Sequence, residues 1–201
     1  MFCYTVHMST VKNNQKLKKG SYKERFAQLA KLGILVFHID DLANLWQIKN
    51  PNTLYTTLKR YAKEGLIIRV QRGLYSLLPV GKINSQLLGL KALHKYAYIS
   101  TETVLAQEGV IFQNVPQITL ISSISQKFSI GTNQYVCRKL ADKFLFNDAG
   151  IILKNDMQVA TLERAVADLL YFNPKYHFDA EHLINWKKVR AIQKQIGYPG
   201  T

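Results

Sequence analysis

The stretch that most narrows what this chain can fold into runs from Asn50 to Pro79. Asn50-Pro51 is a capping side chain followed by the proline that suits a first helical position, and Gly65, free to take positive φ, is a natural stop. The spacing predicts a helix over about Pro51 to Glu64. Two apolar runs follow, Leu66-Ile67-Ile68-Arg69-Val70 and Leu74-Tyr75-Ser76-Leu77-Leu78, separated only by Gln71-Arg72-Gly73 and closed by Pro79. A connection that short leaves no room for a crossover, so the two strands form an antiparallel hairpin.

Two shorter helical patterns precede this unit. Tyr22, Phe26, Leu29 and Ala30 recur at helical spacing before Gly33. After the apolar link Ile34 to Phe37, Asp40 and Asp41 favour the positive end of a short helix whose buried stripe is Leu42, Leu45 and Trp46. Three helices and a hairpin, with a helix-turn-helix at the centre, predict a winged helix over residues 21–80.

On a helical wheel Leu54, Leu58, Tyr61 and Ala62 share the inward face. Asn52, Thr56, Lys59, Arg60 and Lys63 fall opposite, within an arc of about 100°, with no acid among them. Such side chains hydrogen-bond base edges and phosphates in a major groove, so Asn52, Thr53, Thr56, Lys59, Arg60 and Lys63 are the candidate DNA contacts. Arg69 faces outward on the hairpin, and Arg72 at its tip is placed to reach a phosphate or an adjacent minor groove.

Charge supports the same reading. The 201 residues hold 27 Lys and Arg against 13 Asp and Glu, and the excess is lopsided: residues 1–100 contain 16 basic and 4 acidic side chains, the remainder 11 and 9. A field concentrated in one half attracts a polyanion. Residues 1–20 read as a flexible basic arm. With 47% hydrophobic residues the chain can bury a core, which excludes disorder throughout, and no apolar run approaches the roughly 20 residues that a bilayer demands. Cys3 and Cys137 have no metal or disulfide spacing, and no secretory pattern opens the chain, so a cytoplasmic protein is expected, with Met8 an alternative start.

The second half, 82–201, predicts a mixed α/β domain with short antiparallel strands. Expected are a helix from Ile83 to Tyr96 with His94 packed on its apolar side, and a helix Thr101 to Glu108 capped by Ser100. Strands are expected at 117–121, 126–130, 134–140, 144–146, 151–153 and 157–160. Thr161 opens a helix with apolar Leu162, Ala165, Val166, Leu169 and Leu170, on which Arg164 and Asp168 are spaced for an ion pair. Asp179 is read as the N-cap of a last helix, with Leu183, Trp186, Val189, Ile192 and Ile196 in a stripe ending at Gly197. His177 and His182 stand five apart, which departs from the four that aligns two ligands on a helix. Gly20-Ser21 begins like a nucleotidyltransferase loop, but no acidic pair follows. No phosphate-binding glycine loop, nucleophile elbow or zinc signature is present, so neither a cofactor nor an enzymatic activity is expected.

Several of these segments together resemble the AbiEi family of antitoxins: the Arg72-Gly73-Leu74-Tyr75 wing, Tyr98-Ile99-Ser100 opening a helix, and the Thr161 to Tyr171 helix with Glu163, Arg164 and Asp168. The resemblance covers residues 25–175. It implies the antitoxin of a bacterial type IV toxin–antitoxin system acting in abortive infection against phage. The toxin would be a nucleotidyltransferase that is opposed without a stable complex. It also implies that the winged helix represses its own operon at inverted repeats and that the C-terminal domain carries antitoxicity, with Glu163, Arg164 and Asp168 structural. Two alternatives stay open: a nucleic-acid-processing enzyme using Glu163 and Asp168, or a binding module without sequence preference.

Overall fold

A computed structural model describes residues 22–199. The basic arm, Cys3, Met8 and Gly20-Ser21 lie outside the described residues, as do the side chains of Tyr22 and Lys23. The chain divides into two compact units that meet at Ile83/Asn84.

The first unit contains α1 (Tyr22–Leu32), β1 (Val36–His38), α2 (Ile39–Leu45), α3 (Pro51–Lys63), β2 (Ile68–Gln71) and β3 (Leu74–Ser76). The three strands form an antiparallel sheet in the order β1-β3-β2. The apolar link expected at Ile34 to Phe37 is therefore partly a strand: Phe37 pairs with Tyr75 and His38 with Leu74, which gives the hairpin a third member. Leu29, Phe37, Leu42, Leu54, Leu58, Tyr61 and Ile67 form the core, with the Trp46 ring edge-on to Tyr61 at 5.8 Å. Ala30 on α1 is exposed and Leu45 on α2 only half-buried, so neither completes the buried stripe expected of its helix. Thr57 is buried beside the wheel's inward face. Its hydroxyl donates to the Thr53 carbonyl at 2.8 Å, which lets a polar side chain sit there.

The second unit contains α4 (Ser85–Leu93), β4 (Ala97–Ile99), α5 (Glu102–Gln107), β5 (Gln117–Ser122), β6 (Gln126–Ile130), β7 (Asn133–Lys139), α6 (Asp142–Leu145), β8 (Ile151–Lys154), β9 (Met157–Ala160), α7 (Leu162–Phe172) and α8 (Trp186–Ile196). The sheet is mixed and not purely antiparallel. Its order is β6-β7-β5-β4-β9-β8, and the β5/β7 and β4/β9 pairs are parallel. Gly89 on α4 shows why a glycine is needed in that helix: a Cβ there would lie 2.4 Å from the Tyr135 ring.

Four local expectations are corrected. The first helix of this unit ends at Leu93, and His94 is not packed on it but exposed, at the C-cap with φ 48°. Residues expected as a strand at Phe144 to Phe146 fall largely in α6, where Phe144 and Leu145 bury their side chains after one helical turn. Ser100 does not cap α5; Thr101 holds that position at φ 51°, and the Ser100 hydroxyl is spent elsewhere. Asp179 is not an N-cap: its carboxylate accepts from the Phe112 N–H at 2.7 Å, and α8 starts later behind Asn185, whose side chain accepts from Lys188 N–H at 3.1 Å. Leu183 is consequently exposed outside the stripe.

Candidate nucleic-acid interface

The local chemistry that makes α3 a regular helix also fixes which face it displays. Asn50 accepts from the Asn52 N–H at 2.9 Å and Pro51 takes the first turn, so the helix begins where the sequence says. Leu54, Thr57, Leu58 and Tyr61 anchor one side in the core. The other side is set by that anchoring: Asn52, Thr53, Thr56, Lys59, Arg60 and Lys63 are all exposed, and no acidic residue lies within α3. Lys59, Arg60 and Lys63 sit towards its C-terminal end, where cations complement the helix dipole.

The hairpin adds two cations. Arg69 on β2 and Arg72 in the turn are exposed, and the register slips between Arg69 and Gln71, a bulge that increases local twist. Gly73 at φ 80° closes the turn. Its carbonyl accepts from the Ile39 N–H at 2.8 Å, and a Cβ on it would lie 2.8 Å from His38 Nε2. The turn is thus pinned to the start of α2, which places Arg72 on a braced loop. All eight residues proposed from the sequence as DNA contacts lie exposed on this one unit. Sequence reasoning passed over Tyr55, which is 53% exposed on α3 between Leu54 and Thr56. An aromatic outside the inward arc was the available signal.

The Arg164–Asp168 pair belongs to a different kind of site. Both side chains are fully buried, with Arg164 Nε donating to Asp168 Oδ1 at 2.8 Å. Arg164 also donates to the Asn147 and Ala149 carbonyls at 3.0 and 2.9 Å and to the Tyr98 hydroxyl at 2.7 Å. Asp168 accepts from Tyr198 at 2.5 Å, Ser100 at 2.7 Å and Tyr98 at 3.1 Å. Burial is the largest single influence and works against the Arg164 charge, but Asp168, Tyr98 and Tyr198 together outweigh it and keep the guanidinium protonated beyond its ordinary range. Burial pushes the Asp168 carboxyl up, and Arg164 with the hydrogen bonds from Tyr198, Ser100 and Arg164 pulls it back. Desolvation and the Asp168 charge push both phenols well above the usual tyrosine range. The network ties α7 to β4, to the α6–β8 connection and to Tyr198, two residues beyond the end of α8. It is a clasp sealed from solvent, and Asp168 presents nothing to a substrate.

Glu163 does not join it. That carboxylate lies 3.7 Å from Lys188 Nζ, so the structure does not bring Glu163 and Asp168 to a common surface. His177 lies 4.0 Å from Glu181, and both it and His182 are exposed. The Cys137 thiol is buried and donates to the Ile124 carbonyl at 3.3 Å; burial pushes it up to about 12. Among the described residues no helix is long and apolar enough to cross a membrane.

Comparisons with known proteins add to the fold alone. No family profile matches the sequence, and no curated protein matches it. The crystal structure of the RV2827C protein from Mycobacterium tuberculosis is similar over 90% of this chain and 73% of that one, with a TM-score of 0.51 and 10% identity. At that identity the likeness concerns architecture, a mixed arrangement of helices and sheets.

Proposed function

We propose that the first unit is a winged helix-turn-helix that binds double-stranded DNA through α3 and the β2–β3 wing. We further propose that the chain is an autorepressor and antitoxin of the kind the AbiEi resemblance implies. The carrying observation is the acid-free exposed face of α3, with Asn52, Thr53, Thr56, Lys59, Arg60 and Lys63 held outward by a buried opposite face. The element order supports the architecture: helix, strand, two helices, then a hairpin that pairs back on the first strand. On this reading Asn52, Thr53 and Thr56 meet base edges in the major groove. Lys59, Arg60, Lys63 and Arg69 neutralise phosphates, and Arg72 at the hairpin tip neutralises a fifth. The second unit would carry antitoxicity against a nucleotidyltransferase encoded beside it, without a stable complex. Its buried Arg164–Asp168 clasp then holds the domain together and does not act on the toxin chemically.

The test is fluorescence anisotropy of the full chain on the DNA upstream of its own gene and on a scrambled duplex, across a salt series. The expected preference for the native sequence is on the order of a thousandfold. Five phosphate-facing cations predict a slope of log affinity against log salt of about −4 to −5. Equal affinity for both duplexes overturns the repressor reading, and a slope near zero removes the duplex as partner. Antitoxicity is tested separately, by co-expression with the neighbouring gene product.

A further inference from the structure

A cleft of about 340 Å³ opens in the second unit, distant in sequence from α3 and its wing, and its floor is the β5–β7 part of the sheet. Among its lining residues Glu102, Gln113, Asn114, Gln117, Arg138 and Tyr176 carry hydrogen-bonding chemistry, while the Thr119 hydroxyl already donates to the Ser100 carbonyl. Three carboxamides and a phenol offer both donors and acceptors. The two charged groups are paired with one another, Arg138 Nη2 to Glu102 Oε1, so the lining is close to neutral. A bare anion entering there meets the Glu102 carboxylate, which argues against phosphate or carboxylate as the seated group.

The pair also prepares a flat surface. Arg138 Cζ lies 5.5 Å from the centre of the Phe172 ring, so the guanidinium is braced by an aromatic on one side and held in its plane by Glu102. Among the described residues Glu102 Oε2 has no hydrogen-bond donor and is shielded from water, whereas Oε1, which accepts from Arg138, keeps a second lone pair for a group seated in the cleft. The rim is tied down: Gln113 Nε2 donates to the Tyr176 hydroxyl at 2.6 Å, and Asp179 fixes the Phe112 N–H. Phe112, immediately before the rim, nevertheless leaves its ring 75% exposed.

A neutral planar ligand with donors and acceptors around its edge fits these features together. We infer that the cleft seats a single unpaired nucleobase, stacked on the Arg138 guanidinium and read along its edge by Gln113, Asn114 and Gln117. Cavities of this size suit a nucleoside, and guanidinium and aromatic planes are the usual partners of splayed bases. Glu102 then accepts from an exocyclic amino group, which favours adenine, guanine or cytosine over uracil. The base comes either from a free nucleotide or from a single strand, for which the Phe112 ring offers a second stacking surface.

The experiment uses the full chain and the uncharged ribonucleosides, observed by saturation-transfer difference NMR, with single-stranded hexamers and the duplex of the preceding section in parallel. Two variants address the cleft: Val136→Trp, which fills its floor, and Arg138→Gln, which removes the platform. Transfer to base protons of an amino-bearing nucleoside, weakened at least tenfold in a variant whose thermal midpoint stays within a few degrees, supports the site. Hexamers binding more than tenfold tighter than nucleosides identify a strand as the source, and equal binding identifies a free nucleotide. No transfer from any nucleoside or hexamer at millimolar concentration overturns the inference, as does transfer that survives Val136→Trp. Uncharged nucleosides do not probe α3, so duplex affinity unchanged by either variant separates this result from the DNA-binding reading.

Discussion

Replacing Asp168 by Asn tests the central claim about the second unit, that a buried ion pair organises it. The substitution keeps the side chain's size and one acceptor oxygen but removes the charge facing Arg164, whose guanidinium is fully buried. The remaining partners of Arg164 are two carbonyls and the Tyr98 hydroxyl, none of them an anion. Leaving one member of a buried pair uncompensated costs about 3–5 kcal/mol. With a urea m-value of about 2 kcal/mol/M, the midpoint falls by roughly 1.5–2.5 M, and Tm falls by roughly 10–20 °C. The chain's two tryptophans make the assay specific: Trp46 lies in the first unit and Trp186 in the second, so a Trp46→Phe background reports the second unit by fluorescence. Two controls bracket the value. Tyr198→Phe deletes a single hydrogen bond to the carboxylate and leaves no charge unpaired, for about 1.5–3 kcal/mol. Glu163→Gln touches only the partly exposed contact with Lys188 and changes stability by less than about 0.5 kcal/mol. An Asp168→Asn cost below about 1 kcal/mol, or below that of Tyr198→Phe, refutes the argument that charge pairing holds this core.

Three further outcomes are expected. Arg72→Ala weakens binding to native and scrambled DNA alike and flattens the salt slope by about one unit, whereas Thr56→Ala narrows the preference between them; an unchanged slope for Arg72→Ala takes the wing out of the contact. Gly89→Ala destabilises by about 1–3 kcal/mol in urea, opposite to the usual gain from alanine in a helix, because the new methyl meets the Tyr135 ring; a more stable variant contradicts the packing. Cys137 has its folded pKa raised from 9.0 to about 12, so its contribution is complete below pH 9 and is lost as pH climbs towards 12, at about 1.4 kcal/mol per pH unit. Cys137→Ala therefore shows a shallower alkaline loss of stability, measured by urea midpoints between pH 8 and 11, and equal slopes in the two proteins refute it.

The local rules reached far in the first unit. Asn50-Pro51 marked the start of α3, Gly73 the hairpin turn, and the period of Leu54, Leu58 and Tyr61 the side turned inward, so the exposed face could be read by subtraction. What escaped was β1, because three residues, Val36 to His38, carry no alternation of their own and become a strand only by pairing with β3. Capping was legible where the cap is local, as at Thr161 accepting from the Arg164 N–H, and misleading where a side chain has a distant partner. Ser100 and Asp179 both look like N-caps in sequence. One is claimed by Asp168 and the other by the Phe112 backbone.

The same division runs through the candidate sites. The sequence alone determined the groups on α3 and in the β2–β3 hairpin and which side of α3 faces outward, because helical period and turn chemistry act over a few residues and need no third partner. It also determined that Arg164 and Asp168 stand one turn apart. Only the tertiary structure decided that this pair is sealed inside, since Tyr98, Ser100 and Tyr198 reach Asp168 from 70, 68 and 30 residues away. Only the tertiary structure, likewise, brought Glu102 against Arg138 across 36 residues and braced that guanidinium on Phe172. Burial converts an ion pair of little worth in water into one whose loss is costly, and burial is a property of the packed sheet and helices that no local pattern encodes.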